Sequence, residues 1–424
     1  MGGMRVLIVA VGSRGDVAPF TGLATALNAA GHDTVIAGYE MFAGLVTGCG
    51  LKFHALPGDP RMLEAARWQR GGTGPLGAAR LIRLIADQMR ELHAGMLAAA
   101  RQGTDVLLLG GLSYAGGYHI AEGLGLPSMS LQLAPVAPTR DFAPSIVTAR
   151  SLGRWGNLAA GHALVLLGGP TLAGPVRELR AELGLPRLSS RQAVYGRMSD
   201  PAWLVFHGFS PAVVPRPAGW RAGAEVVGYW WPARPEGWRP PPDLETFLNA
   251  GEAPVFVGFG SMSPDDAARA AGVATAAARQ AGVRLVLQAG RAGLDVARPA
   301  DDQMVIGDVP HDWLFPRMAA VVHHAGAGTT GAGLRAGVPA VTVPQIGDQP
   351  FWAARIAALG AGPPPVRYRR LSVPVLSAAI QDAVTRPSYR TRAQALAADL
   401  AREDASAPVV AAVSRLASGP RQSR

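Results

Sequence analysis

The residue types best suited to chemistry are concentrated in the segment His323-His324-Ala325-Gly326-Ala327-Gly328-Thr329-Thr330. This segment, called the 323–330 loop below, follows an apolar run of strand length and precedes a helical pattern that reaches Ala336. Small residues such as Gly326 and Gly328 let a backbone approach phosphate oxygens closely, and the free N–H groups at a helix start favour negative charge. His324 and Thr329 can add side-chain donors. The alternative interpretation is a tight strand-to-helix turn that binds no ligand.

A second polar group, Asp348-Gln349, follows the next apolar run along the chain. A carboxylate beside a carboxamide can accept and donate hydrogen bonds, as recognition of the vicinal hydroxyls of a sugar requires. In isolation, such a pair is most often a helix cap or a solvated polar patch. Because it comes one strand and one helix after a phosphate-binding pattern, we interpret it as a sugar-binding pair.

Two further loops follow apolar runs in the same half of the chain. Gly260 and Ser261 offer N–H groups and a hydroxyl to a diphosphate. Val309 and His311 lie where a nucleobase can stack or bond to the backbone, and nearby Trp313 is interpreted as a core anchor. With the 323–330 loop and Asp348-Gln349, these loops form a series that suits a nucleobase, a diphosphate and a sugar, and the series predicts a nucleotide-sugar ligand.

The elements that must position these loops are apolar runs of strand length that alternate with helical patterns. The runs are 5–11, 34–38, 105–111 and 128–131 in the first half, and 255–259, 285–288, 304–306, 320–323 and 340–343 in the second. Fully apolar strands that alternate with helices are typical of a parallel, doubly wound sheet, which binds ligands at the carboxyl ends of its strands. The sequence therefore predicts an α/β fold with two doubly wound domains that face each other across a cleft.

The composition changes between the two series, where prolines cluster with four tryptophans between 211 and 242. We predict an N-terminal domain over 1–215, a Pro/Trp-rich linker over 216–242 and a C-terminal domain over 243–404. The last part, 405–424, is predicted to form a terminal helix and a loose tail. A chain of 424 residues is comfortable for two such domains.

The formal charge of +10 does not indicate nucleic-acid binding, because Lys52 is the single lysine and the arginines are spread along the chain without a basic block. Cys49 is the only cysteine, which favours a reducing, cytoplasmic location, and the N-terminus lacks the pattern of a signal peptide. The apolar stretch Leu158–Leu172 is too short and too interrupted to span a bilayer. It is compatible with a peripheral contact to a membrane surface.

Five segments match a known family in register. They are Gly12–Pro19, Gly307–Pro316, the 323–330 loop, Gly337–Pro339 and Gly347–Trp352. In these residues the chain resembles the sterol glucosyltransferase branch of the nucleotide-sugar glycosyltransferases, a superfamily that includes bacterial enzymes acting on polyketide, macrolide and glycopeptide natural products. The resemblance implies the GT-B fold. It is specific over 307–352 and weak between Gly50 and Trp238.

The resemblance implies an inverting transfer, in which an acceptor hydroxyl attacks the anomeric carbon in line as the nucleotide diphosphate leaves. Relatives carry a histidine or an aspartate at the position of Asp16, which implies that Asp16 is the general base, a role typically worth ~10²–10⁴-fold. The alternative role of Asp16, compatible with catalysis, is to cap a helix that starts near Val17. Ser13 and Arg14 are assigned to the donor, since pairing with Arg14 would weaken Asp16 as a base.

The glucosyltransferase-like context of Asp348-Gln349 favours UDP-glucose as the donor. No metal or other cofactor is expected, because the chain lacks the Asp-x-Asp pair that presents Mg²⁺ to a diphosphate in the other large transferase fold. The resemblance implies a lipophilic acceptor such as a sterol, a macrolide or a polyketide. Ser113 and Tyr114, which follow the run 105–111, are the predicted acceptor contacts.

Several alternatives remain open. Relatives that use dTDP-deoxysugars share most of these loops, and an inactive GT-B scaffold could serve as an auxiliary protein for a partner transferase. A phosphorylase would need a cofactor lysine, and Lys52 is poorly placed for one. A dinucleotide oxidoreductase would carry a Gly-x-Gly-x-x-Gly run, which the turn after the first strand lacks. The sequence makes no prediction of the oligomeric state.

Overall fold

The chain folds into two α/β units, each built on a parallel sheet, as predicted. The structure is a computed structural model that describes residues 3–59, 75–189, 196, 200–260, 264–289 and 301–418. The apolar runs form strands because they are covered by helices on both faces of each sheet. In the first strand, for example, every residue from Val6 to Val11 is at most 5% exposed.

The N-terminal sheet has seven strands in the spatial order β3-β2-β1-β4-β5-β6-β7, and all neighbouring strands are parallel. The strands are β1 (Arg5–Val11), β2 (Asp33–Tyr39), β3 (Lys52–Leu56), β4 (Val106–Gly111), β5 (Ser128–Gln132), β6 (Val205–His207) and β7 (Ala224–Val226). The strand order reverses between β1 and β4. The loops that follow these two strands therefore meet at a crevice of the kind where open α/β sheets bind ligands.

Helices connect these strands. They are α1 (Arg14–Ala29), α2 (Ala43–Thr47), α3 (Pro75–Ala100), α4 (Tyr114–Leu124) and α5 (Gly153–Glu182), with a 3₁₀ turn at Glu40–Phe42. Within the described ranges, no single helix is both long enough and apolar enough to cross a membrane. Two parts of α5, Gly153–Leu167 and Leu172–Glu182, meet that length and composition only when taken together as a bent pair.

The C-terminal sheet has five parallel strands in the order β10-β9-β8-β11-β12. The strands are β8 (Val255–Gly258), β9 (Leu285–Gln288), β10 (Gln303–Ile306), β11 (Ala320–His323) and β12 (Ala340–Thr342). The helices are α6 (Pro242–Asn249), α7 (Pro264–Ala281), α8 (His311–Leu314), α9 (Ala327–Ala336), α10 (Gln349–Ala358), α11 (Val373–Thr385), α12 (Pro387–Leu400) and α13 (Ala407–Ser418), with 3₁₀ turns at Phe315–Arg317 and Tyr368–Arg370. Here the order reverses between β8 and β11, which places the loops after these two strands side by side.

The chain leaves the N-terminal unit after β7 and returns to it at α13. Strand β7 lies inside 216–242, the range predicted as a linker, yet it pairs with β6 in the N-terminal sheet. The sequence pattern misses this strand because it is only three residues long and its central Glu225 is exposed. Near the other end, Val409 and Val413 of α13 pack into the N-terminal core, and Trp230 donates a hydrogen bond to the Ala405 carbonyl at 2.9 Å.

Candidate functional site

The loop after β1 holds the Asp16 carboxylate at the N-terminus of α1. The helix begins at Arg14, earlier than predicted, with Ser13 as its N-cap residue. Oδ2 of Asp16 accepts hydrogen bonds from the Ser13 backbone N–H at 2.7 Å and from the Ser13 hydroxyl at 2.9 Å. Gly12 has a φ of 145°, and a Cβ there would lie 2.3 Å from the same oxygen. Asp16 is therefore the N3 residue of a capping box whose N-cap is Ser13, and it is not the cap of a helix that starts near Val17.

Arg14 connects this loop to the other unit. Its Nη1 donates to Oδ2 of Asp308, in the loop after β10, at 2.9 Å. A second ion pair, between Arg234 and Asp312 at 2.6 Å, joins the segment after β7 to α8. The sequence assigns no role to Asp308, because no local pattern links it to Arg14, 294 positions away in the chain. The predicted contact of Arg14 with the donor stays a prediction.

The 323–330 loop folds around the imidazole of His324. A Cβ at Gly260 would lie 2.8 Å from Cε1 of His324, and a Cβ at Gly326 would lie 2.6 Å from its Nε2. Gly260 also has a φ of 69°, which favours glycine. The loops after β8 and β11 are thus packed together through one ring. Ser261, the next residue and a predicted contact of the diphosphate, lies outside the described residues.

Burial lowers the pKa of His324 to about 4, and the backbone of Gly258 opposes this shift to a smaller extent. The imidazole is therefore neutral at pH 7. Its Nδ1 is buried and makes no hydrogen bond with the described residues. Because an anion favours the protonated form of a nearby imidazole, a bound diphosphate would raise this pKa.

His323, to which the sequence pattern assigns no separate role, fixes the backbone of the loop. Its Nδ1 accepts a hydrogen bond from the N–H of Ala325 at 3.0 Å, and burial lowers the pKa of His323 to about 3. Ala325 has a φ of 63°, the one positive φ outside glycine in the described part of the chain. A left-handed conformation costs a residue with a side chain about 1–2 kcal/mol. The hydrogen bond from Ala325 to His323 helps to hold this conformation.

Buried polar atoms without a hydrogen-bond partner collect at the carboxyl ends of β11 and β12. Within the described residues they include His323 Nε2, His324 Nδ1, Thr330 Oγ1, Thr342 Oγ1 and Gln345 Nε2. Such atoms are rare in protein interiors and call for a specific explanation. The N-terminus of α9 adds backbone N–H groups here, with Gly326 as its N-cap residue, Gly328 exposed and Thr329 half-buried in the first turn. This edge fits an anionic, polar ligand.

Asp348 and Gln349 lie at the start of α10 and are held by local hydrogen bonds. Oδ2 of Asp348 accepts from the indole N–H of Trp352 at 2.7 Å. Oε1 of Gln349 accepts from the backbone N–H groups of Gln345 at 2.8 Å and Ile346 at 3.2 Å. Burial raises the pKa of Asp348, and the bond from Trp352 opposes this shift. These bonds fix the pair beside the unpartnered atoms of β12, and its role in sugar binding stays a prediction.

The side chains of the predicted nucleobase contacts pack largely within the C-terminal unit. Val309 is 7% exposed and belongs to the C-terminal core. The ring of His311 stacks on Phe315 with centroids 4.2 Å apart, and burial together with the nearby Arg14 lowers the pKa of His311 to about 4. Of the two predicted options, this packing favours a contact of the base with the backbone over stacking on His311. Trp313 packs against the same core, as expected.

The predicted acceptor contacts are also packed into the protein. Ser113 is 1% exposed, and its hydroxyl donates to the Val9 carbonyl at 3.2 Å. Tyr114, the first residue of α4, is 9% exposed and belongs to the N-terminal core. The sequence placed both residues correctly after β4 but could not show that they point inward. This geometry gives Ser113 a structural role, and the acceptor assignment stays a prediction.

Each of the two parallel α/β units has one strand-order reversal, and the ion pair of Arg14 and Asp308 joins the loop after β1 to the loop after β10. This arrangement defines the GT-B architecture. The domain described as glycosyltransferase family 28 N-terminal domain matches residues 6–142. The domain described as erythromycin biosynthesis protein CIII-like, C-terminal domain, matches residues 256–416. Together, these matches cover the loops after β1, β8, β10, β11 and β12.

Several relatives, including the following two, match nearly the whole chain. An O-mycaminosyltylonolide 6-deoxyallosyltransferase of Streptomyces fradiae is 35% identical over 94% of both chains. A sterol 3-beta-glucosyltransferase of Arabidopsis thaliana is 32% identical over 93% of this chain, which spans 63% of that relative's length. The glycosyltransferase of kitacinnamycin has the same fold, with a TM-score of 0.71 and 18% identity over 98% of this chain and 99% of its own. The chain belongs to the glycosyltransferases of GT-B fold, in the group that contains sterol and macrolide glycosyltransferases.

Proposed function

We propose that the protein is an inverting glycosyltransferase that moves glucose from UDP-glucose to a hydroxyl of a lipophilic acceptor, such as a sterol, a macrolide or a polyketide. The observation that carries this proposal is the pairing of two loops across the cleft. The loop that holds Asp16 is joined to the loop after β10 by the ion pair of Arg14 and Asp308. Helix α1 also contacts α9 of the other unit, and the proposal places the Asp16 carboxylate opposite the start of α9.

The proposed reaction uses Asp16 as the general base. The acceptor O–H gives its proton to the carboxylate while the oxygen attacks the anomeric carbon, and the bond from that carbon to the diphosphate oxygen breaks. The electron pair stays on the leaving diphosphate. Its charge is stabilised by the backbone N–H groups at the start of α9 and by His324, which can take up a proton as the charge develops. The proposal assigns no step to a metal ion or another cofactor.

A dTDP-deoxysugar is the second candidate donor. The relative that supports it is the 6-deoxyallosyltransferase, which matches 94% of both chains, whereas the sterol glucosyltransferase supports glucose. A Streptomyces glycosyltransferase crystallised with thymidine diphosphate has the same fold, with a TM-score of 0.64 and 24% identity over 97% of this chain and 99% of its own. We place UDP-glucose first because Asp348-Gln349 occurs in a glucosyltransferase-like context.

A donor screen tests the proposal. Titration calorimetry with UDP-glucose, dTDP-glucose and GDP-glucose should give the highest affinity for UDP-glucose. Transfer to a 3β-hydroxysterol should yield a β-glucoside, because inversion converts the α-linkage of the donor, and the proton coupling of the anomeric carbon reports the configuration. Tighter binding of dTDP-glucose would favour the second donor. Binding of no nucleotide sugar would favour the inactive auxiliary protein.

A further inference from the structure

The first part of α5 presents an apolar face to solvent. Trp155 is 71% exposed, Leu166 is 56% exposed and Leu167 is 79% exposed. Ala159 and Ala163, which are also exposed, lie between them at helical spacing. A surface helix normally turns polar side chains to water and apolar ones to the core. This part of α5 therefore has the reverse of the usual arrangement.

The loop before α5 extends the same face. Val136, Ile146, Val147 and Leu152 are between 42% and 58% exposed. Asn157 ties this loop to the helix, because its carboxamide bonds the Leu152 N–H at 2.8 Å and the Arg140 carbonyl at 3.1 Å. We call the combined surface the 136–167 face. It consists of Val136, Ile146, Val147, Leu152, Trp155, Ala159, Ala163, Leu166 and Leu167.

Positive charge lies along the loop part of the 136–167 face and the start of its helix. Arg140, Arg150 and Arg154 are exposed. The Arg140 guanidinium lies 4.3 Å from the centroid of the Trp155 ring. Asp141 is the only acidic residue between 136 and 177 in the sequence. An apolar surface with an exposed tryptophan and an arginine rim is typical of proteins that bind the interface of an anionic membrane.

The second part of α5 anchors the helix to the N-terminal unit. Val176 is fully buried, and Arg180 is 2% exposed. The Arg180 guanidinium donates to Oε2 of Glu122 and contacts Nδ1 of His119, each at 2.8 Å. The first part meets the second at a bend of 56° and is itself tied to the preceding loop by Asn157, while its outer side chains point into solvent.

We propose that the 136–167 face docks the protein on the surface of a lipid bilayer with anionic headgroups. The stretch from Trp155 to Leu167 spans roughly 18 Å at 1.5 Å per residue, which suits a helix that lies flat in the interface. The arginines would then meet lipid phosphates. A symmetric dimer through this face is disfavoured, because it would bring the three arginines of one copy against those of the other.

Docking here would place the cleft between the units close to the bilayer. Phe142, in the loop of the 136–167 face, contacts Phe351 of α10 with ring centroids 5.3 Å apart. If the acceptor is lipophilic, which rests on the proposed function, it can pass from the bilayer to the cleft along this loop. Docking itself does not depend on glycosyl transfer and can be measured without a donor.

Vesicle flotation tests the proposal with the full-length protein. The protein should float with phosphatidylcholine vesicles that contain about 30% phosphatidylglycerol and should bind pure phosphatidylcholine much more weakly. The double variant L166E/L167E should lose about tenfold or more of the affinity. Arg150→Ala with Arg154→Ala should lose about tenfold to thirtyfold at low salt. Val375→Glu, at a residue 41% exposed on α11, is the matched control and should bind like the wild type.

Three results would overturn docking on an anionic bilayer. They are failure of the wild type to float at low salt, equal binding to both kinds of vesicle, and a dimer in sedimentation that L166E/L167E abolishes. Thermal melting checks that the variants fold, and UDP-glucose calorimetry should give the wild-type affinity for each. Vesicle binding without any nucleotide-sugar binding would support docking while it contradicts the proposed function.

Discussion

The carboxyl edges of the two sheets are built in different ways. In the C-terminal unit the candidate site follows the strands within a few residues, as His324 follows β11 and Asp348 follows β12. In the N-terminal unit the connections after β1, β2 and β4 are also short, but a long connection, 133–152, follows β5. A site made of short loops after strands can be read from a sequence, whereas a site made of long connections depends on packing that the sequence does not display.

The largest effect is expected at Asp16, a residue of the N-terminal edge that the sequence itself identifies. Asp16→Asn keeps an acceptor for the N–H and hydroxyl of Ser13 but removes the base, so turnover should fall ~10²–10⁴-fold. Steady-state kinetics measure this fall, and calorimetry should show unchanged affinity for UDP-glucose. Wild-type turnover in Asp16→Asn would remove Asp16 from the reaction.

Ser13→Ala is the matched control for Asp16→Asn. It removes the capping hydroxyl but leaves the carboxylate, so it should cost about 1 kcal/mol of stability. Because Ser13 is also a predicted donor contact, the comparison uses kcat at saturating UDP-glucose, which should stay near the wild-type value. If Ser13→Ala lost as much turnover as Asp16→Asn, the orientation of the carboxylate and not its basicity would limit the reaction. Thermal melting separates the loss of stability from the loss of chemistry.

The corresponding residue of the C-terminal edge is His324. His324→Ala should weaken UDP-glucose binding about 10- to 100-fold, as expected for a hydrogen bond to a charged group. The control is His93→Ala, because His93 is a buried histidine of the other unit whose pKa burial also lowers to about 4. His93→Ala should leave the affinity unchanged in calorimetry. Unchanged affinity in His324→Ala would contradict the phosphate assignment.

The pKa of His324 also gives the binding a pH dependence. Without ligand, His324 has a pKa of about 4 and its ring is neutral near pH 7, whereas a diphosphate favours the doubly protonated, cationic ring. Proton uptake on binding means that the affinity for UDP-glucose should rise as the pH falls from about 7 to about 5. The phosphates of UDP-glucose do not titrate in this range. The profile of His324→Ala should be flatter than that of the wild type.

A smaller effect is expected where His323 holds Ala325. His323→Phe removes the acceptor of the Ala325 N–H and should weaken UDP-glucose binding about 5- to 30-fold, which corresponds to the cost of the left-handed conformation. Adding Ala325→Gly should restore much of the affinity, because glycine adopts this conformation freely. Ala327→Gly, in the first turn of α9, is the control and should give no rescue. The absence of rescue by Ala325→Gly would exclude a positioning role for His323.

Some features of the fold and of the candidate site can be predicted from the sequence, and others cannot. The strands Leu285–Gln288 and Ala320–His323 were predicted at their observed bounds, because each is a buried apolar run that ends at a single polar residue. Strands β3, β6 and β7 were missed, since β6 and β7 have three residues each and β3 is partly exposed. The hydrogen bond between His323 and Ala325 depends on a backbone conformation that no residue type signals. The contact of Arg14 with Asp308 depends on how two separate units meet.

The smallest effect is expected at this contact between the units. The Arg14 and Asp308 side chains are 54% and 68% exposed, so their coupling in a double-mutant cycle should be at most about 1 kcal/mol and should fall as salt is added. The pair of Arg234 and Asp312 is the internal control. If Arg14 turns to the donor phosphates, as predicted, UDP-glucose should abolish its coupling to Asp308 in thermal melts and leave the control pair unchanged. Coupling that persists with UDP-glucose would make Arg14 a bridge between the units and remove it from the donor contacts.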